Sequence, residues 1–88
     1  MPSGPAIVRG VVRDSNGAPI PAARVLFADG PGSLPDVAAL TGATGEFTLS
    51  APLPGTYRIQ CVAEGRPPVD VEVTVAAGES RQVEVTVD

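Results

Sequence analysis

Asn16-Gly17-Ala18-Pro19-Ile20-Pro21-Ala22-Ala23-Arg24-Val25, read with Leu53-Pro54-Gly55-Thr56-Tyr57-Arg58-Ile59 further on, decides the fold class of this chain. Each stretch is a turn that feeds directly into a strand. In the first, Asp14 and Asn16 bond their own backbone and Gly17 accepts a positive φ. Pro19 and Pro21 then hold the backbone extended and exclude helix. Ile20, between the two prolines, is expected to plug one end of a core. In the second, Pro54-Gly55 turns the chain into an alternating run whose large members are Tyr57 and Ile59.

Working outward, period-two alternation recurs on both sides of these turns. Ala6 to Arg13 reads as a strand with Val8, Gly10 and Val12 on one face and Arg9, Val11 and Arg13 on the other. Arg24 to Asp29 points Val25 and Phe27 inward. Gly30-Pro31-Gly32-Ser33-Leu34-Pro35 is the longest unpatterned loop. Val37 to Thr41 is a weak third strand, closed by the turn Gly42–Gly45. Glu46 to Ser50 turns Phe47 and Leu49 inward, and Thr56 to Glu64 is the longest, central strand. Val69, Val71, Val73 and Val75 oppose Asp70, Glu72 and Thr74; Val83, Val85 and Val87 oppose Glu84 and Thr86. These last two runs read as a closing hairpin with one acidic face in water. Seven short strands, regular turns and no amphipathic helix predict an all-β, antiparallel two-sheet sandwich.

Composition agrees. The 88 residues are expected to form a single domain, 1–88, and a chain this short buries only about 60–65% of its unfolded surface. Its apolar residues are mostly valine, which is stiff at its first torsion and packs well on a pleated surface. Net charge is −4, and the six arginines are scattered, so no basic run exists to neutralise a row of phosphates. Nucleic acid is therefore not an expected partner. No apolar stretch approaches the ~18 residues of a membrane span, and membrane insertion is not expected either. The start of the chain lacks the charged and apolar blocks of a secretory signal. The expectation is a soluble, cytoplasmic protein as written, or an extracellular one if a leader was removed or a partner exports it. Arginine without lysine, among much Ala, Gly, Pro and Val, points to a GC-rich, bacterial genome. Cys61 is the single cysteine and shares a face with Tyr57 and Ile59, so it reads as a small buried hydrophobe.

The run Val8–Val25, the segments Thr41–Ser50 and Leu53–Gly65, and the closing VTVAAGESRQVEVTV together resemble the carboxypeptidase regulatory-like domain over nearly the whole chain. The matching positions are Gly10, Asn16-Gly17, Pro19, Pro21, Gly45-Glu46-Phe47 and Pro54-Gly55-Thr56-Tyr57. The resemblance implies a transthyretin-like or prealbumin-like (Ig-like) sandwich, akin to the B-type repeats of bacterial adhesins. It implies a fold more than a function, because this domain is attached to peptidases, receptors, adhesins and secretion-machine parts alike. Three departures stand out. Gly42 and Thr44 sit where the family often has acidic residues, Arg66 follows Gly65 where an aromatic is common, and the absence of lysine rules out the lysine–asparagine crosslink of adhesin repeats.

Enzymes of similar fold use side chains that this chain lacks. Hydroxyisourate hydrolases work with histidines, and intradiol dioxygenases hold iron with histidines and tyrosines; here there is no histidine and one tyrosine. A serine has no histidine or lysine to activate it, and Asp70/Glu72 or Glu79/Glu84 as a catalytic pair read better as a solvated face. No catalytic residue, metal site or cofactor is expected. The reading is a non-catalytic protein-interaction or adaptor module that engages an unidentified protein through an edge strand or loops. Val11, Val62 and the loop Gly30, Pro31, Gly32, Ser33, Leu34 and Pro35 are the candidate contacts. The alternative is a structural subunit of a larger, self-assembling and possibly bacterial structure. Carbohydrate binding ranks below both, since all three aromatics fall on core positions.

Overall fold

Valine alternation becomes strand wherever one face can be buried. The computed structural model describes residues 4–32 and 38–87. Among these, the strands are β1 (Ala6–Asp14), β2 (Arg24–Asp29), β3 (Ala39–Leu40), β4 (Glu46–Ala51), β5 (Gly55–Val62), β6 (Val69–Val75) and β7 (Ser80–Val87). They form two sheets, ordered β4-β1-β7 and β3-β2-β5-β6, so the expected seven-stranded sandwich is what forms. The third strand is shorter than expected, and Val37 lies outside the described residues. At 9 residues β1 is longer than β5 at 8; each is a central strand of its sheet.

One pairing differs from the sequence reading. β6 pairs with β5, while β7 crosses to the other sheet and lies parallel to β1, Ile7–Asp14 against Ser80–Val87. The closing hairpin therefore does not form. Alternation states which face of a strand is buried; it does not state which strand lies beside it. The valine stripes of β6 and β7 meet across the core, and the turn between them spans the two layers. Glu79 closes that turn, its backbone N–H donating to the Ala76 carbonyl at 3.1 Å and its carboxylate accepting from the Ala76 N–H at 3.0 Å. The other ladders are antiparallel.

The core lies between the sheets. Val8 and Val12 from β1, Val25 from β2, Tyr57 and Ile59 from β5, and Val85 and Val87 from β7 are all fully buried. Each such side chain contributes roughly 1.5–3 kcal/mol of hydrophobic stabilisation. Phe27 and Tyr57 pack with ring centroids 4.5 Å apart. Gly10 is inward on β1, and the Phe47 ring fills the space its side chain would need. Ile20 packs half-buried against the core, as expected of an end plug. Its carbonyl accepts from the hydroxyl of buried Thr41 at 2.7 Å, and that oxygen accepts in turn from the Ala23 N–H at 2.8 Å.

The register also sorts the turns between two ends. Gly4, the loop after Asp29, the Pro52–Pro54 turn and the Ala76–Glu79 turn gather where Ala6 faces Ala51 and the Gly78 N–H reaches the Gly4 carbonyl. Asp14–Ala22, Gly42–Gly45 and Ala63–Pro68 gather at the opposite end, where Asp14 faces Val87.

Candidate interaction surfaces

Val11 points out of the three-stranded sheet and is half-buried. Its register neighbours are Glu46 on β4 and Glu84 on β7, and the next row along places Arg9 between Thr48 and Gln82. These six side chains line an open, polar groove of about 550 Å³. Glu84 also stands 3.7 Å from Arg13, an exposed pair worth at most about 1 kcal/mol.

Val62 is exposed on the outer face of the other sheet. Its partner across β2 is Arg24, and the partner of Arg24 on β3 is Leu40. Leu40 is 65% exposed and Val62 38%, so two large apolar side chains flank an arginine in a single row. Half-buried Leu26 and Gln60 form the next row. Sequence reading missed Leu40 as a contact, because a two-residue strand has too few positions to show which face it presents.

The loop Gly30–Pro35 is described only as far as Gly32; Ser33, Leu34 and Pro35 lie outside the described residues. The Gly30 N–H donates to the Asp29 carboxylate at 2.9 Å. Pro31 sits against Gly55, and Gly32 against Leu53. This part of the loop is thus stapled to the β4–β5 corner. Val11, Val62 and Gly30–Gly32 do not converge: the first is on one sheet, and the other two are at opposite ends of the second.

The acidic residues are likewise divided. Asp70 and Glu72 lie on the outer face of β6, and Glu84 is on the other sheet. Glu79 lies 3.6 Å from Arg81. No group of three His, Cys, Asp or Glu among the described residues is placed to hold a metal. Tyr57 is fully buried, and its hydroxyl donates to the Leu53 carbonyl at 2.7 Å and accepts from the Leu53 N–H at 3.0 Å. Phe27 and Phe47 are buried too, which leaves no aromatic ring of the chain on the surface. Burial pushes the Cys61 thiol above its ordinary pKa, opposite to the shift that makes a reactive cysteine.

Solved structures of similar shape span several activities. The dioxygenase domain of a dioxygenase–carbohydrate-binding protein fusion from Streptomyces sp. SirexAA-E matches with a TM-score of 0.70 at 19% identity, over 99% of this chain and 81% of that one. The major pilin subunit of Bacillus cereus matches with a TM-score of 0.75 at 17% identity, over 94% of this chain and 28% of the pilin. A DUF3823 family protein from Parabacteroides merdae matches with a TM-score of 0.66 at 18% identity, over 97% of this chain and 46% of that one. The chain thus spans under half of the last two proteins. At these identities the likeness is one of fold. No curated protein is recognisably similar in sequence. The model of the carboxypeptidase regulatory-like domain matches residues 7–88, over the same turns and strands that build the sandwich, and the chain belongs to that family.

Proposed function

We propose that this domain is a non-catalytic module that docks onto a protein partner through the outer face of its four-stranded sheet, at Leu40, Arg24 and Val62. The observation that carries the reading is that row: Leu40 and Val62 are exposed on either side of Arg24. Adjacent strands are about 5 Å apart, so the two apolar side chains stand roughly 10 Å apart with a cation between them. A partner surface with two apolar side chains about a carboxylate matches that spacing and charge. The non-catalytic reading is supported by a sequence without histidine or lysine and by a lone tyrosine whose hydroxyl is occupied inside the core.

The test is a photo-crosslinking amino acid placed at position 40, 62 or 11 in the source cell, with adducts identified by mass spectrometry. The expected result is one common protein adduct from positions 40 and 62, absent from position 11 and lost in Arg24→Glu. Adducts from position 11 alone would overturn the proposed face. A second reading, a self-assembling structural subunit, is favoured by the likeness to a pilin subunit. Light scattering across a concentration series separates the two: growth abolished by Leu40→Asp assigns the row to copies of this chain, and a monomer throughout overturns the self-assembly reading.

A further inference from the structure

We infer that the domain is a mechanical clamp, arranged so that tension applied between its two ends shears the β1–β7 ladder instead of peeling it. The inference rests on the terminal strands and not on any partner. β1 and β7 are parallel and in register over eight residue pairs, Ile7–Ser80 through Asp14–Val87. Tension entering at the Ala6 end of β1 and leaving at the Val87 end of β7 pulls the two strands past each other along their length. The ladder bonds lie across that line and are strained together. The Ile7 N–H, which donates to the Glu79 carbonyl at 2.8 Å, extends the ladder at the loaded end. β4 holds the opposite edge of β1 from Ala6 to Val11, so β1 cannot slide without breaking bonds on both sides.

Packing adds a stop against sliding. A one-residue slip would turn every inward side chain of β1 to the outside. A two-residue slip keeps the faces but carries Val12 to the place of Gly10 in the direction of pull. That place has no room for a side chain: even a Cβ at Gly10 would run into the Phe47 ring and come within 2.9 Å of Val83 Cγ2. Gly10 and Phe47 therefore fix the register at the middle of the strand that carries the load.

Single-molecule force spectroscopy on the full chain tests this, with two attachment geometries at one loading rate. In the first, the handles are at the N- and C-termini. In the second, they are at the C-terminus and at Asn16→Cys in a Cys61→Ala background, so that both handles pull from the same end and β7 is peeled from β1. The expected result is an end-to-end unfolding force severalfold above the peeling force, since forced unfolding reads the barrier and not the equilibrium stability. Phe47→Leu, which weakens the stop by removing the ring over Gly10, lowers the end-to-end force more than the peeling force. Equal forces in the two geometries would overturn the clamp. An equal drop in both geometries for Phe47→Leu would overturn the Gly10–Phe47 stop.

Discussion

At the scale of single residues, the chain depends on a few side chains whose surroundings leave no alternative. Gly10 is one, and it is required by space alone: its own φ is not among the positive values, but the Phe47 ring occupies the place of its Cβ. Gly10→Ala is expected to cost about 1–3 kcal/mol by overpacking, measured as a lower midpoint in urea, with part of the loss recovered when Phe47→Leu is added. Sequence reading placed Gly10 inward by alternation, but only the register with β4 shows what stands over it. Cys61 is a second case, and here the sequence reading and the structure agree on burial. Because burial raises its pKa, the folded chain holds the thiol proton more tightly than the unfolded chain does. The stabilising contribution is therefore complete below the unfolded thiol's pKa and is lost as the pH rises from there through the folded value. Midpoints measured through the alkaline range should fall in the native protein and fall less in Cys61→Ala. A thiol reagent at neutral pH should label Cys61 only once the chain is unfolded.

At the scale of elements, turns proved more legible than neighbours. The Asp14–Gly17 turn forms as its residues dictate, with one Asp14 carboxylate oxygen accepting from the N–H groups of Asn16 and Ala18, each at 2.9 Å. The β4–β5 corner was legible as a turn, but its lock was not. The Tyr57 hydroxyl bonds both backbone groups of Leu53, and that requires β5 to bring the ring beneath the corner. Tyr57→Phe should cost about 1 kcal/mol, since the part-buried Leu53 carbonyl and N–H both lose the hydroxyl they bond. Gly55, in the same corner, has φ +142° and Pro31 3.0 Å from where a Cβ would stand. Gly55→Val should cost about 1 kcal/mol or more. Differential scanning calorimetry on the two variants checks both; an unshifted melting temperature in either would mean the corner is not a stability determinant. The β6–β7 pairing shows the opposite side of legibility. Two clean valine stripes joined by a short turn look like a hairpin, and nothing local to Ala76–Glu79 says that the chain changes sheets there.

At the scale of the whole molecule, the sandwich has open lateral edges, and a free edge invites pairing with another chain. Arg81 guards one of them. It pairs with Val8 across the β1–β7 ladder, on the inward side of the edge strand β7, and is held 3.6 Å from Glu79. Arg81→Val should leave the fold intact and produce concentration-dependent association in light scattering, where the native chain shows less. Strand number, the identity of the inward residues and the exclusion of histidine- or lysine-dependent chemistry were all determined by the sequence alone. They follow from period-two alternation, from turn residues with restricted φ, and from which side chains exist at all, and each of these is local or compositional. The Leu40–Arg24–Val62 row, the separation of Val11 from Val62, and the parallel β1–β7 ladder were decided only by the tertiary structure. They depend on which strands lie side by side, and that follows from closing one core between two sheets, a condition that no single stretch of the chain contains.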